Sequence, residues 1–235
     1  MPQGSYQRER QMIKIIAIDG PSGAGKGTIS RRLAKKLGFH YLDSGALYRL
    51  LGMAAVRHKV DAADKKNLVP LARNMDIRFE ALGNGDNKVL LEGEDVTLEL
   101  RTEQTAALAS QVAAHPQVRE ALLVRQRRFA KAPGLVADGR DMGTEVFPEA
   151  QLKLYLTATI EERARRRYKQ LLEKGESVSL RALEAQVRSR DERDMSRDVS
   201  PLIAAPDAVE LDTSELSIQE VLDTVLNIAL MRNFM

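Results

Sequence analysis

The stretch Ile13-Lys14-Ile15-Ile16-Ala17-Ile18-Asp19-Gly20-Pro21-Ser22-Gly23-Ala24-Gly25-Lys26-Gly27-Thr28 decides the fold class. Its first half is a short, β-branched apolar run of the kind that forms a buried strand, and its second half crowds glycines in front of a lysine. Beyond it Ile29, Leu33 and Leu37 recur at helical spacing. Strand, glycine-rich turn and helix in that order build a phosphate-binding loop. The glycines let backbone N–H groups converge on an anion at a helix N-terminus, and Lys26 adds a mobile charge for the outer phosphates. A nucleotide-phosphate site is therefore expected over Gly20, Pro21, Ser22, Gly23, Ala24, Gly25, Lys26, Gly27 and Thr28. The competing reading, a tight strand-to-helix turn that binds nothing, does not account for the matching context on both sides.

Gly27 stands where the commonest form of this loop has the Ser or Thr that ligates Mg²⁺, and the hydroxyl comes one residue later, at Thr28. The sequence thus offers no firm direct protein ligand for the metal, with Thr28 as the candidate. Mg²⁺ is expected to be held mainly by nucleotide phosphates and water, as its reluctance to dehydrate allows. The Gly-Lys-Gly-Thr ending is also what small nucleoside-monophosphate kinases carry.

A chain of 235 residues can bury one substantial core with insertions. The 36 basic against 33 acidic side chains leave a formal charge of only +3, which argues for local arginine clusters holding small anions rather than for nucleic acid. With no cysteine there is neither disulfide nor thiolate chemistry, as suits a reducing cytoplasm. His40, His58 and His115 share no metal-ligand spacing and read as ordinary surface or helix residues. The polar start, residues 1–12, reads as a flexible N-terminus without signal or anchor, and no run elsewhere approaches a membrane span. A cytoplasmic monomer is expected.

Further along, Phe39 to Leu42 form a short strand, and Asp43-Ser44-Gly45-Ala46-Leu47-Tyr48-Arg49 begins a helix that Asp43 or Ser44 can cap. A plain N-cap explains this start alone; beside a phosphate loop, the hydroxyl, phenol and arginine suggest an anion pocket. Asp76 to Glu80 and Lys88 to Val96 alternate as strands around an Asn84-Gly85 turn, a hairpin set apart from the main sheet. Helical patterns run from Leu100 to Phe129. Leu135 to Asp138, Leu152 to Leu156 and Val209 to Asp212 are further strands, and Ser217 to Met231 is a helix. Strands alternating with helices predict an α/β, doubly wound parallel sheet. Glu161 to Arg197 is rich in arginine and divides at Lys174-Gly175-Glu176-Ser177. Solvated helices laced with Glu–Arg pairs would explain most of its charges; with the phosphate loop present, it reads as an arginine-lined lid, in which Arg163 can stack on the adenine face.

These segments together resemble the bacterial cytidylate kinases. The resemblance is carried by Asp19 to Thr28, Leu42 to Arg49, Leu91 to Val96, Ala137-Asp138-Gly139-Arg140-Asp141-Met142-Gly143-Thr144 and Arg190-Asp191-Glu192-Arg193-Asp194, and it runs from Ile13 to the final helix. It implies transfer of the γ-phosphoryl of ATP to CMP or dCMP by a single P-loop kinase domain over 13–235. That domain would carry a monophosphate-binding insert of a β-hairpin plus helices at about 72–118, and a lid at about 161–197. It further implies CMP contacts from Ser44, Tyr48, Arg49, Arg101, Ser110, Arg119, Arg140, Asp141, Asp194 and Arg197. Lys26, Arg140, Arg166, Arg167 and Arg190 are the expected catalytic charges. By hydrogen-bond polarity, Ser110, Asp194 and Arg119 supply the acceptors and donors that cytosine needs, leaving Asp141 to orient or to contact the sugar. The alternatives are a P-loop kinase for another acceptor such as UMP or AMP and, more remotely, a nucleic-acid-binding protein using the arginine-rich helices. A GTP-binding switch lacks its Asn-Lys-x-Asp and Asp-x-x-Gly elements here.

Overall fold

The computed structural model describes residues 13–81, 87–173 and 175–234. The expected N-terminal tail, the Asn84-Gly85 turn and Lys174 lie outside the described residues. The chain forms β1 (Lys14–Asp19), α1 (Lys26–Leu37), β2 (His40–Asp43), α2 (Ser44–Arg57), α3 (Lys65–Asn74), β3 (Ile77–Ala81), β4 (Asn87–Leu91) and β5 (Glu94–Asp95). A 3₁₀ turn at Glu99–Arg101 leads to α4 (Glu103–Val112), α5 (Pro116–Arg127) and β6 (Gly134–Asp138). After a π-helical turn at Met142–Val146 come β7 (Leu152–Thr157), α6 (Ile160–Glu173), α7 (Leu180–Met195), β8 (Val209–Asp212) and α8 (Ile218–Met231).

The main sheet has five strands in the order β2-β6-β1-β7-β8, and every pairing is parallel. Its strands are apolar on both faces because both are covered. On one face Ile16 and Ile18 pack with Leu33 of α1 and Val225 of α8; on the other Ile15 and Ala17 meet Leu47 of α2 and Phe147. From β1 the chain runs to one side and later crosses to β7 on the other, so the crevice at the carboxyl ends of β1, β6 and β7 is the topological switch point where such sheets bind ligands. The doubly wound reading is met.

Two sequence readings are revised. The run Lys88 to Val96 is not one strand: Glu92 and Gly93 both take positive φ (55° and 84°), and the chain folds back into β5, making a three-stranded antiparallel sheet. The helical stretch Leu100 to Phe129 divides ahead of Pro116, whose ring disfavours a helical residue before it and which opens α5 as an N1 proline. The small sheet packs with α2, α3, α4 and α5 around Leu50, Leu68, Leu91, Val112 and Leu122, an apolar cluster separate from those of the main sheet. The α6–α7 pair has its own small core of Ala164, Leu171, Leu183 and Val187. None of the described helices is long and apolar enough to cross a membrane.

Candidate functional site

A cleft of about 960 Å³ opens at the switch point, lined on one side by Ser22 to Thr28 and on the others by α2, α4, the end of β6 and the arginines of α6 and α7. Gly20 enters the loop at φ 140°, where a Cβ would stand 1.9 Å from the Leu156 carbonyl oxygen of β7. Gly20→Ala is therefore expected to destabilise the fold by more than about 4 kcal/mol in urea denaturation, since neither the backbone angle nor the neighbouring strand can yield; a loss below about 1 kcal/mol would show that β7 retreats.

Gly25, at φ 87°, is the N-cap of α1, and no described side chain caps it, so the first amides remain available to an anion. Lys26 is buried and its Nζ donates to the Pro21 carbonyl at 2.8 Å. Burial drives its pKa below the ordinary lysine range; Asp138 opposes that shift and Arg140 adds to it. At Gly27 a Cβ would lie 3.2 Å from Asp138 Oδ2, so the missing side chain lets the loop run against that carboxylate. Asp138 accepts a hydrogen bond from the Tyr41 hydroxyl at 3.1 Å, and burial together with repulsion from Asp43 raises its pKa. Thr28 also lines the cleft. Among the described residues no group of three His, Cys, Asp or Glu forms a metal cage. The Asp43–Asp138 repulsion beside the loop nevertheless fits a hydrated cation held mainly by phosphates.

Asp43 rather than Ser44 caps α2, accepting from the Ala46 amide at 2.9 Å. The Ser44 hydroxyl instead donates to Gln126 Oε1 at 2.6 Å, a buried partner on α5 that no sequence signal marked. Arg49 Nη1 donates to the Leu100 carbonyl at 3.3 Å, Tyr48 lies 5.7 Å below the Arg119 guanidinium, and Arg101 stands exposed at the rim. The carboxylate that meets Arg119 is Asp141, in a buried ion pair. Asp194 is not that partner: 1% exposed, it is held by Arg140 and Arg197. Of the expected cytosine-reading set Ser110, Asp194 and Arg119, the structure pairs Arg119 with Asp141 instead of Asp194, and all four residues line the cleft. Burial acts to raise the Asp194 pKa, yet the two guanidiniums outweigh it and hold the carboxyl below its ordinary range. Asp19, at the end of β1, accepts from the Met142 and Gly143 amides at 2.8 Å each and so anchors the turn that carries Asp141; burial lifts its pKa to about 7.

The arginines of α6 and α7 divide. Arg166 faces the cleft, tied to Thr213 Oγ1 at 3.1 Å and Glu162 Oε1 at 3.0 Å, and Arg167 reaches from α6 to Glu103 of α4. Arg190 has no ion-pair partner among the described residues; burial and repulsion from Arg140 push its pKa down to about 9. Arg163 departs from expectation. Its guanidinium is buried, with Nη1 donating to Asp191 Oδ1 at 3.0 Å and to the Ser22 carbonyl at 3.1 Å and Nε to the Ala158 carbonyl at 2.9 Å, and the side chain does not line the cleft in which an adenine would lie. The apolar wall beside the loop comes instead from Leu216, Ile218 and Val221, after the C-terminal end of β8. Position at a strand end was the signal available for it.

Four polar atoms of cleft residues are buried without a described hydrogen-bond partner: Ser110 Oγ, Arg119 Nε, Arg167 Nε and Arg190 Nε. Buried orphans of this kind are uncommon, and here all four belong to residues that line one cleft with Lys26. That arrangement suits a ligand with many oxygens and negative charge.

The family model described as cytidylate kinase matches residues 16–230. A cytidylate kinase of Pseudomonas aeruginosa (strain LESB58) is 57% identical over 215 residues, 91% of this chain and 94% of that protein. Another, from Aeromonas salmonicida (strain A449), is 55% identical over 216 residues, 92% and 94% of the two chains. Among solved structures, a gluconokinase from Sinorhizobium meliloti 1021 aligns over 93% of this chain and 92% of its own at a TM-score of 0.47 and 12% identity.

Proposed function

The chain belongs to the cytidylate kinase family, and from that premise we propose how its residues carry out the transfer of the γ-phosphoryl of ATP to CMP or dCMP. It is a nucleoside-monophosphate kinase. The observation that carries the proposal is that Lys26, Arg140, Arg167 and Arg190 all line the cleft that the phosphate loop enters.

In this reading the Ser22–Thr28 amides and Lys26 bind the triphosphate, and the base rests on Leu216, Ile218 and Val221. The insert at about 72–118, packed on α2, presents CMP, and Ser44, Tyr48, Arg49 and Arg101 lie toward its phosphate. Ser110, Arg119 and Asp141 read cytosine, while Asp194, steadied by Arg140 and Arg197, faces the sugar. Thr28, Asp138 and Asp43 would hold the water shell of a Mg²⁺ bound with ATP, which would supply neutralisation of phosphate charge. Arg140, Arg166, Arg167 and Arg190 stabilise charge on the moving group. The acceptor phosphate is already an anionic nucleophile, so transfer is a matter of positioning and electrostatics. Closure of the lid at about 161–197 excludes water from the γ-phosphoryl. The +3 charge supports action on small nucleotides rather than on nucleic acid, and the absence of cysteine suits a reducing cytoplasm.

A coupled assay of ADP release with ATP and Mg²⁺ tests the reading, offering CMP, dCMP, UMP, AMP and GMP in turn. Turnover is expected with CMP and dCMP; equal turnover with AMP or UMP would overturn the assignment of the base site.

The same electrostatics predict a pH profile. Lys26 must carry its proton to hold phosphate, and its lowered pKa means that proton is lost at lower pH than for a free lysine. Asp138 must be ionised to favour the cation, and its raised pKa means that it is neutralised at higher pH than a free aspartate. The kcat/KM for ATP should therefore be bell-shaped, with both limbs drawn toward neutrality. A plateau across the whole span from about 4 to about 10 left by unperturbed groups would contradict this.

A further inference from the structure

The α6–α7 pair meets the phosphate loop at a buried point whose side chains, Arg163 and Asp191, do not line the cleft. Arg163, in the first turn of α6, donates to the Ser22 carbonyl in the loop, to the Ala158 carbonyl at the end of β7 and to both oxygens of Asp191 on α7. Its stem also packs on the loop: a Cβ placed on Gly23 would stand 3.0 Å from Arg163 Cβ. The Arg163 and Asp191 side chains are 4% and 10% exposed, and Arg163 does not line the cleft. Asp191 immediately precedes the helical turn that carries Asp194, and it follows Arg190 directly. The free end of the pair, near Gly175, lies at the far end of both helices.

We propose that Arg163 and Asp191 are positioning residues for phosphoryl transfer, pinning the roots of α6 and α7 to the phosphate loop so that Arg190 and Asp194 keep a fixed distance from the triphosphate. The inference rests on the kinase reading above and extends it to residues outside the cleft. The physical requirement is stringent. The donor phosphates are held by the loop and the acceptor and moving group by α7, so any slip between them misaligns the attacking and leaving oxygens, and a shift of about 1 Å can cost roughly a hundredfold in rate. A bidentate guanidinium suits this task because its planar fork fixes direction as well as distance, which an ammonium does not. The three carbonyl and carboxylate partners come from the loop, β7 and α7, so the rigid fork references α7 to the part of the sheet that holds ATP. Beyond that point the two helices hold together through their own apolar core and can swing as one body.

Steady-state kinetics with CMP on the whole enzyme, joined to thermal unfolding, tests this with two variants. Arg163→Lys keeps the charge in place but cannot serve all three partners. It is expected to lower kcat by about tenfold or more, with KM for ATP and for CMP within about threefold of the parent. In Arg163→Met with Asp191→Leu both buried charges are removed together, a change that leaves many folds as stable as before. Its Tm is expected to return close to that of the parent while kcat stays about ten- to a hundredfold low. A purely structural role predicts the opposite, recovery of kcat with Tm. Parental kcat in Arg163→Lys, or a loss confined to KM, would overturn the inference. Inactivity of the parent enzyme with CMP would instead point to the kinase reading as the error.

Discussion

Replacing Lys26 with methionine is expected to cut kcat by about a hundred- to a thousandfold, the loss seen when one charge-stabilising donor is removed from a transition state. The effect on the fold should run the other way. Burial holds the Lys26 pKa at about 8, below that of the unfolded chain, so below that folded value the charged ammonium weakens the native state in full, and the penalty fades as pH rises from there to the unfolded value. At neutral pH Lys26→Met removes that penalty and loses one hydrogen bond to Pro21, and its Tm should equal or exceed the parent's. A stable, folded variant with almost no turnover separates a catalytic charge from a structural one. Retention of parental kcat, measured by ADP release, would remove Lys26 from the reaction.

A second large effect is expected from Asp141→Asn. Cytosine offers a donor at N4 beside acceptors at N3 and O2, and the Asp141–Arg119 pair presents the complementary acceptor and donors with Ser110 nearby. Uracil reverses the polarity at two adjacent atoms, and a site built around hydrogen bonds can reject such a mismatch by up to about ten-thousandfold. An amide at position 141 can turn its NH₂ toward the uracil O4. The kcat/KM for CMP should fall by about a hundredfold or more and the CMP-to-UMP ratio should narrow sharply. Because Arg119 would be left buried without its carboxylate, the variant should also lose about 3–5 kcal/mol of stability, so the comparison belongs at low temperature. An unchanged ratio would show that Asp141 does not read the base.

The two predictions differ in how far the residues could be read before folding. Lys26 sits in a run where each neighbour constrains the next: a positive φ at Gly20 and Gly25, a strand before and a helix after. Such local geometry is written in consecutive residues, and the expected loop is where the structure has it. The alternation of strands and helices was legible for the same reason, whereas the turn at Glu92-Gly93 and the division before Pro116 were short local signals overridden by a longer pattern.

Asp141 is different, because the sequence around the cleft offers several carboxylates and more arginines, and opposite charges attract one another indifferently at the level of composition. The observed pairs join residues 22, 54 and 28 positions apart: Arg119 with Asp141, Arg140 with Asp194, and Arg163 with Asp191. The amino-acid order by itself determined the phosphate loop, the parallel α/β sheet and the family, since backbone amides converge wherever glycines permit and β-branched runs form strands wherever both faces are covered. Tertiary structure alone decided which arginines line the cleft and which brace the fold. The worth of a charge depends on the burial and the partner that packing assigns to it, and Arg163 and Arg190, alike in composition and both on the α6–α7 pair, were separated by that packing.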